Sequence, residues 1–144
     1  MSEVSDHVQQ AIMAVQQHWL ERELAGATVA VLGLCVDDVV WLPPNEPAMR
    51  GKSAVAEWVA ALPENRIRRI EITNVHIDSN GRLAYKVADF TTWLDTPGQA
   101  SNEPIMCSHL WVLREVSPEQ WRVARGVVNC RTEKGSLTKA AGAL

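Results

Sequence analysis

The stretch that decides the fold is DDVVWLPPNEPAMRGKSAVAEW, residues 37–58. Two acids lead into Val39–Val40–Trp41–Leu42, a short apolar run that reads as a buried strand. Pro43–Pro44 stops it, because proline donates no N–H to a ladder. After the loop NEPAMRG, a helix is expected from about Ser53 to Leu62. Val55, Trp58, Val59 and Leu62 share one of its faces, and Pro63 ends it.

Upstream of this stretch the chain reads as helical. Ser2 or Ser5 can cap a first helix. Val8, Ile12, Val15 and Trp19 make an apolar stripe on it, opposite Gln9, Gln10, Gln17 and Glu21. Ala25–Gly26 breaks that helix, and Thr28 can cap a second, short and buried one through about Val36. Downstream the chain reads as strands. Arg69 to Ile77 is rich in branched residues, and Asn80–Gly81 is a hairpin signal. Leu83 to Leu94 alternates, and Thr96–Pro97–Gly98 turns the chain. Ile105 to Glu115 and Trp121 to Cys130 complete the set. The tail from Thr132 to Leu144 reads as a frayed end, leaving one domain over residues 1–131.

Composition bounds the function. The chain has 144 residues, 47% hydrophobic and 22% charged, with net charge −3, which suits one ordinary domain with a real core. No run of about 18 uncharged apolar residues exists, so no spanning helix and no membrane partner are expected. The acidic balance argues against a nucleic-acid partner. Cys35, Cys107 and Cys130 are far apart and odd in number, which reads as buried thiols in a reducing cytosol. No CxxC or HxxxH spacing points to a metal, no glycine-rich loop points to a phosphate, and no cofactor is inferred. Strand His109–Leu113 is apolar in both registers, so both sheet faces should be covered, one by helices and the other by a second copy in a homodimer.

Residues 37–58 resemble the segment that SnoaL-like and ketosteroid-isomerase-like proteins of the nuclear transport factor 2-like superfamily carry after their second helix. LWVLREVSPEQWRVARGVVN, residues 110–129, resembles the last hairpin of that superfamily. The resemblance covers about residues 8 to 132. It implies an α+β, cone-shaped, cystatin-like fold, with three N-terminal helices packed on a curved, mainly antiparallel sheet around a small-molecule pocket. It places Trp19 where ketosteroid isomerases keep an oxyanion-hole tyrosine, and Trp58 on the pocket wall. Pro43 stands where those isomerases hold their base, and neither Met106 nor Ser108 supplies their second acid. Gly126 and Val128 stand where relatives carry Asp and Trp, which would enlarge the pocket.

Alternation along Leu83–Leu94, together with the resemblance, sends Tyr85, Val87, Asp89, Thr91 and Trp93 inward. The preferred register of the next strand sends Met106, Ser108 and Leu110 inward and His109 outward. Asp89 is then a carboxylate among apolar neighbours, with a pKa expected to rise into the range of a general acid or base unless a cation or hydrogen-bond donors compensate; the alternative is an Asp89 that is hydrogen-bonded or at a wet rim and does no chemistry. The expected catalytic set is Asp89, Tyr85 and Ser108. The ligand walls are Trp19, Trp41, Trp58, Val87, Thr91, Trp93, Leu110, Gly126 and Val128. Such a set suits cofactor-free isomerase, cyclase or dehydratase chemistry on a small apolar cyclic molecule. The alternative is a non-catalytic ligand-binding or dimeric association module.

Overall fold

Burial that alternates residue by residue along the long strands builds this molecule around one face of a curved sheet. The computed structural model describes residues 5–62, 66–95 and 103–131. In chain order come α1 (Asp6–Leu24), a 3-10 segment (Thr28–Leu34), β1 (Cys35–Leu42), β2 (Met49–Arg50), α2 (Lys52–Ala61), β3 (Arg66–Asn80), β4 (Leu83–Asp95), β5 (Ile105–Ser117) and β6 (Gln120–Arg131). They form one six-stranded sheet, ordered β2-β1-β6-β5-β4-β3. Only β1 and β6 run parallel; the other pairs are antiparallel. Pro63, the Thr96–Pro97–Gly98 turn and the tail beyond Arg131 lie outside the described residues. No described helix is long and apolar enough to cross a membrane.

Ser5 caps α1, its hydroxyl accepting from the Val8 N–H at 3.3 Å. Ile12, Val15 and Trp19 are buried as the stripe predicts, and the same side also buries Gln16 and Glu23. The three expected N-terminal helices become one long helix, a 3-10 segment, and α2 inserted between β2 and β3. The second helix fails for local reasons. TVAVLGL carries two valines and a glycine, all poor helix formers. Its intended cap, Thr28, donates instead to the Glu23 carboxylate at 3.2 Å. The chain consequently leaves the 3-10 turn early, and β1 begins at Cys35 instead of Val39. At the Arg50–Gly51 turn, Gly51 takes φ +87°, a conformation costly for any other residue, and its N–H donates to the Val39 carbonyl at 2.7 Å.

Two bulges shape β3. Pairing with β4 slips once between Ile67 and Arg69 and again between Thr73 and His76. Each slip inserts a residue, so Ile67, Ile70, Ile72 and Ile77 all stay on the helix-covered face despite their uneven spacing. On β4 that face carries Ala84, Lys86, Ala88, Phe90, Thr92 and Leu94, all buried. On β5 it carries Cys107, His109, Trp111 and Leu113. The inward registers expected for both strands are therefore one residue out of phase. Tyr85, Val87, Asp89, Thr91 and Trp93 point to the outer face, as do Met106, Ser108 and Leu110. Gly126 and Val128 of β6 do lie on the inner face.

The cysteine reading is also corrected. Register places Cys107 directly across from Cys130, with Cα atoms 4.0 Å apart, and the two form a disulfide. Their 23-residue separation in sequence hid a nearest-neighbour pairing in the sheet. Cys35 is the free cysteine, buried, with burial pushing its thiol up to about 12. The inference of reduced thiols thus fails for two of the three.

Candidate functional site

The inner face gathers an aromatic floor around two ionisable side chains. Trp111 of β5 sits between Lys86 of β4 and Gly126 of β6, its partners in the two ladders. Trp19 from α1 packs on Trp111, with ring centroids 4.7 Å apart, and on Trp41 at 5.9 Å. His109 stacks on Trp111, at 4.7 Å and 10° between planes, and meets Phe90 at 5.4 Å. Strand alternation puts His109 and Trp111 on the same side, two residues apart.

Lys86 is fully buried in this floor. Its Nζ lies 3.9 Å from the centre of the Trp111 ring and 2.8 Å from His109 Nε2. No described carboxylate pairs with it. Burial alone pulls the Lys86 amine down from 10.5 to about 7. Burial, and then the charge of Lys86, hold His109 far below the usual histidine range. A neutral imidazole that accepts at Nε2 carries its proton on Nδ1. His109 Nδ1 is buried and has no partner. His109 and Trp111 also line a cavity of about 10 Å³ with Gln16, Trp19, Ile72 and Phe90, close to the room one water needs. Gln16 Oε1, on the same lining, is likewise unpaired. The cavity's lining thus includes two side chains that each carry an unpaired buried polar atom, and one of them, His109, contacts the Lys86 amine.

Glu23 is a third buried ionisable group, one turn beyond Trp19 on α1. Burial pushes its carboxyl up from 4.5 to about 8, against the lowering effect of the Thr28 hydroxyl and the Trp19 indole. Among the described residues no three His, Cys, Asp or Glu side chains gather in a way that could hold a metal ion.

The expected catalytic trio falls on the other side of the sheet. Ser108 donates to Asp89 Oδ1 at 2.6 Å, and Asn74 donates to Asp89 Oδ2 at 2.8 Å. Asn74 reaches it from the second β3 bulge, where its φ is +53°. These donors, Ser108 first and Asn74 next, draw the Asp89 pKa down, so they supply the compensation under which the rise does not occur. Tyr85 meets His76 at 5.8 Å on the same outer face. Trp93 lies there too, with the Arg69 guanidinium 4.9 Å from its ring centre. Thr91 is half-buried, and Val87, Met106 and Leu110 are exposed at 38%, 49% and 37%. An open groove of about 530 Å³ lies beside the β3–β4 hairpin, lined by Asp78, Leu83, Tyr85 and Val112 among others. Of the expected walls, Trp19, Trp41 and Val128 are in the buried core, Gly126 is buried beside Trp111, and Trp58 is half-buried against that core.

Reasoning from sequence singled out His109 but turned it outward, and it passed over Lys86, Gln16 and Glu23. A usable signal existed: Lys86 has the same parity as Phe90 and Leu94, and a lysine on an apolar-bearing face is unusual.

The long helix lying against a six-stranded sheet closed by a parallel β1–β6 pair is shared with many solved structures. The fold is the cystatin-like, nuclear transport factor 2-like one. A ketosteroid isomerase-like protein from Erwinia carotovora atroseptica is 19% identical at TM-score 0.72, covering 90% of this chain and 99% of that one. A scytalone dehydratase-like protein from Novosphingobium aromaticivorans is 12% identical at TM-score 0.72, covering 86% of this chain and 84% of that one. A cystatin-like fold protein from Burkholderia xenovorans is 16% identical at TM-score 0.68, covering 90% and 95%. These likenesses establish the fold. No family model matches the chain, and no curated protein matches it by sequence.

Proposed function

We propose that this chain is a cofactor-free acid–base catalyst of the isomerase, cyclase or dehydratase kind, acting on a small, flat, apolar molecule on the inner face of the sheet. The observation that carries the reading is the 2.8 Å contact between Lys86 Nζ and His109 Nε2, buried and without a carboxylate. Burying an ionisable pair costs several kcal/mol, and such a pair is commoner at working sites than in plain cores. An amine that titrates near 7 can take or give a proton at neutral pH. His109 Nδ1–H would donate to a developing oxyanion, and Trp19 and Trp111 would be the walls. The naming of fold neighbours as ketosteroid isomerase-like and scytalone dehydratase-like supports this class of chemistry. A ligand larger than one water must part Trp19 from Trp111, so binding is coupled to movement of α1.

The test is a thermal-shift screen with cyclic ketones, phenols and lactones, followed by turnover assays on the compounds that bind. The Lys86→Met variant should keep ligand affinity and lose turnover. Unchanged turnover in that variant would refute the catalytic role.

A second reading, an association module, is favoured by the exposed apolar strip of Val87, Met106 and Leu110 on the outer face. Its occupant would be a second copy of the chain, giving a homodimer. Light scattering at micromolar concentration decides it, since a monomer leaves that strip uncovered.

A further inference from the structure

The outer face of the sheet carries a charge pattern as well as its apolar strip. Ladder register puts Asp78, Tyr85, Val112 and Arg125 directly across from one another on β3, β4, β5 and β6. Directly opposed residues point to the same side, so these four make one row on the outer face. The same register makes a second row of Glu71, Thr91, Met106 and Arg131. Between the two rows, Val87 and Leu110 form the exposed centre of the strip. Each charged row thus begins with an acid on β3 and ends with an arginine on β6. Three strand spacings, about 14 Å, keep the two ends apart within one chain. Asp78, Arg125 and Arg131 are in no described ion pair, while Glu71 has Arg69. Asp78 accepts from the Ser79 N–H, and Arg125 donates to the carbonyls of Asp38 and Ala124, contacts that hold these charges without neutralising them.

We infer that two copies pack outer face to outer face, with a two-fold axis running along the strands between β4 and β5, an inference that rests on the association reading above. That axis exchanges the two ends of every row and keeps the rows in step. Asp78 then faces the partner's Arg125, and Glu71 faces the partner's Arg131, each contact occurring twice. Strand β4 faces the partner's β5, so Val87 meets the partner's Leu110 and Thr91 meets the partner's Met106. Aligned sheets keep their strand directions within about 30°, so the match holds near the axis. The groove of about 530 Å³ beside Asp78, with Tyr85 on its lining, offers the partner's Arg125 a carboxylate and an aromatic face. The Asp89 carboxylate enters this interface already held by Ser108 and Asn74. An axis across the strands is rejected by the same charges. It would set Asp78 against the partner's Glu71, and Arg125 against the partner's Arg131. Charges placed in this way select one orientation more than they add affinity.

Sedimentation equilibrium of the full chain tests this, on the parent, Asp78→Arg, Arg125→Asp and the two changes together. The parent should be a dimer at micromolar concentration. Either reversal alone creates two like-charged contacts per dimer and should weaken association about a hundredfold, roughly tenfold per contact. The double variant restores opposite charges across the axis and should return to within about threefold of the parent. Where a reversal fails to fold, Asp78→Asn and Arg125→Gln keep the side-chain shape and should each still weaken the dimer; an unchanged dimer then overturns the arrangement. A monomeric parent overturns this arrangement and the association reading together. A dimeric parent that the reversals leave unchanged, or that the double variant does not rescue, overturns the arrangement and leaves the association reading standing.

Discussion

Strands β4 and β5 each have two faces one residue apart in sequence, and the faces treat ionisable groups in opposite ways. On the inner face Lys86 and His109 lie in an aromatic floor, and burial drives both toward their neutral forms. On the outer face Asp89 is met by Ser108 and Asn74 and is held as the carboxylate. The outer group is satisfied where it stands. The inner pair is maintained against a desolvation cost, with a polar atom unpaired beside it. A group held where its charged form is disfavoured is ready to exchange a proton, which is why the chemistry is assigned to the inner face.

That contrast can be broken most sharply by truncating one indole on each side. Trp111→Ala should cost about 3–5 kcal/mol in urea unfolding, whereas Trp93→Ala should cost about 1 kcal/mol or less. Comparable losses would mean the outer face is as buried as the inner one, as in a dimer. The disulfide comes next. Replacing Cys107 and Cys130 by serine should lower stability by about 3 kcal/mol through the freed loop. Thiol titration of the native oxidised protein should find no reactive group until unfolding releases Cys35.

The buried charges give smaller effects with defined pH windows. Between pH 4.5 and about 8 the folded chain keeps the Glu23 proton that the unfolded chain has lost, so this group lowers stability as pH rises. Glu23→Gln should therefore match the parent near pH 4 and exceed it by on the order of 2 kcal/mol above pH 8. Lys86 has the opposite sign. Between about pH 7 and 10.5 the unfolded chain holds the extra proton, so stability rises with pH. Lys86→Met should be the more stable protein below pH 7 and lose that advantage toward pH 10.5. Chemical denaturation across pH reads both. The smallest change is expected for Asp89→Asn, whose denaturation midpoint at neutral pH should stay close to the parent's.

The period of each strand was legible in the sequence, but its phase was not. Along β4, the set Leu83, Tyr85, Val87 and Trp93 looks more apolar than Ala84, Lys86 and Ala88, so the wrong set was turned inward. Small residues explain the inversion: Ala84 and Ala88 read as weakly apolar yet are buried, and they share the inner face with the larger Lys86, Phe90 and, from β5, Trp111. For β6 the resemblance fixed the phase, and Gly126 and Val128 are on the inner face. Helices α1 and α2 were legible from their stripes and stops. The 3-10 segment was not, because Thr28 had two places to send its hydroxyl and Glu23 took it.

The bulges of β3 carry a consequence for how this chain can tolerate change in length. Side chains on a strand sort by odd and even position, and each inserted residue exchanges the two classes. Ile67 and Ile77 are both odd, Ile70 and Ile72 both even, and all four share a face only because two insertions cancel. Removing Asn74 or Val75 alone would reverse the isoleucines on one side of the cut, and a second, compensating insertion further along would restore them. Length variation in this strand should therefore be accepted in pairs, or not at all.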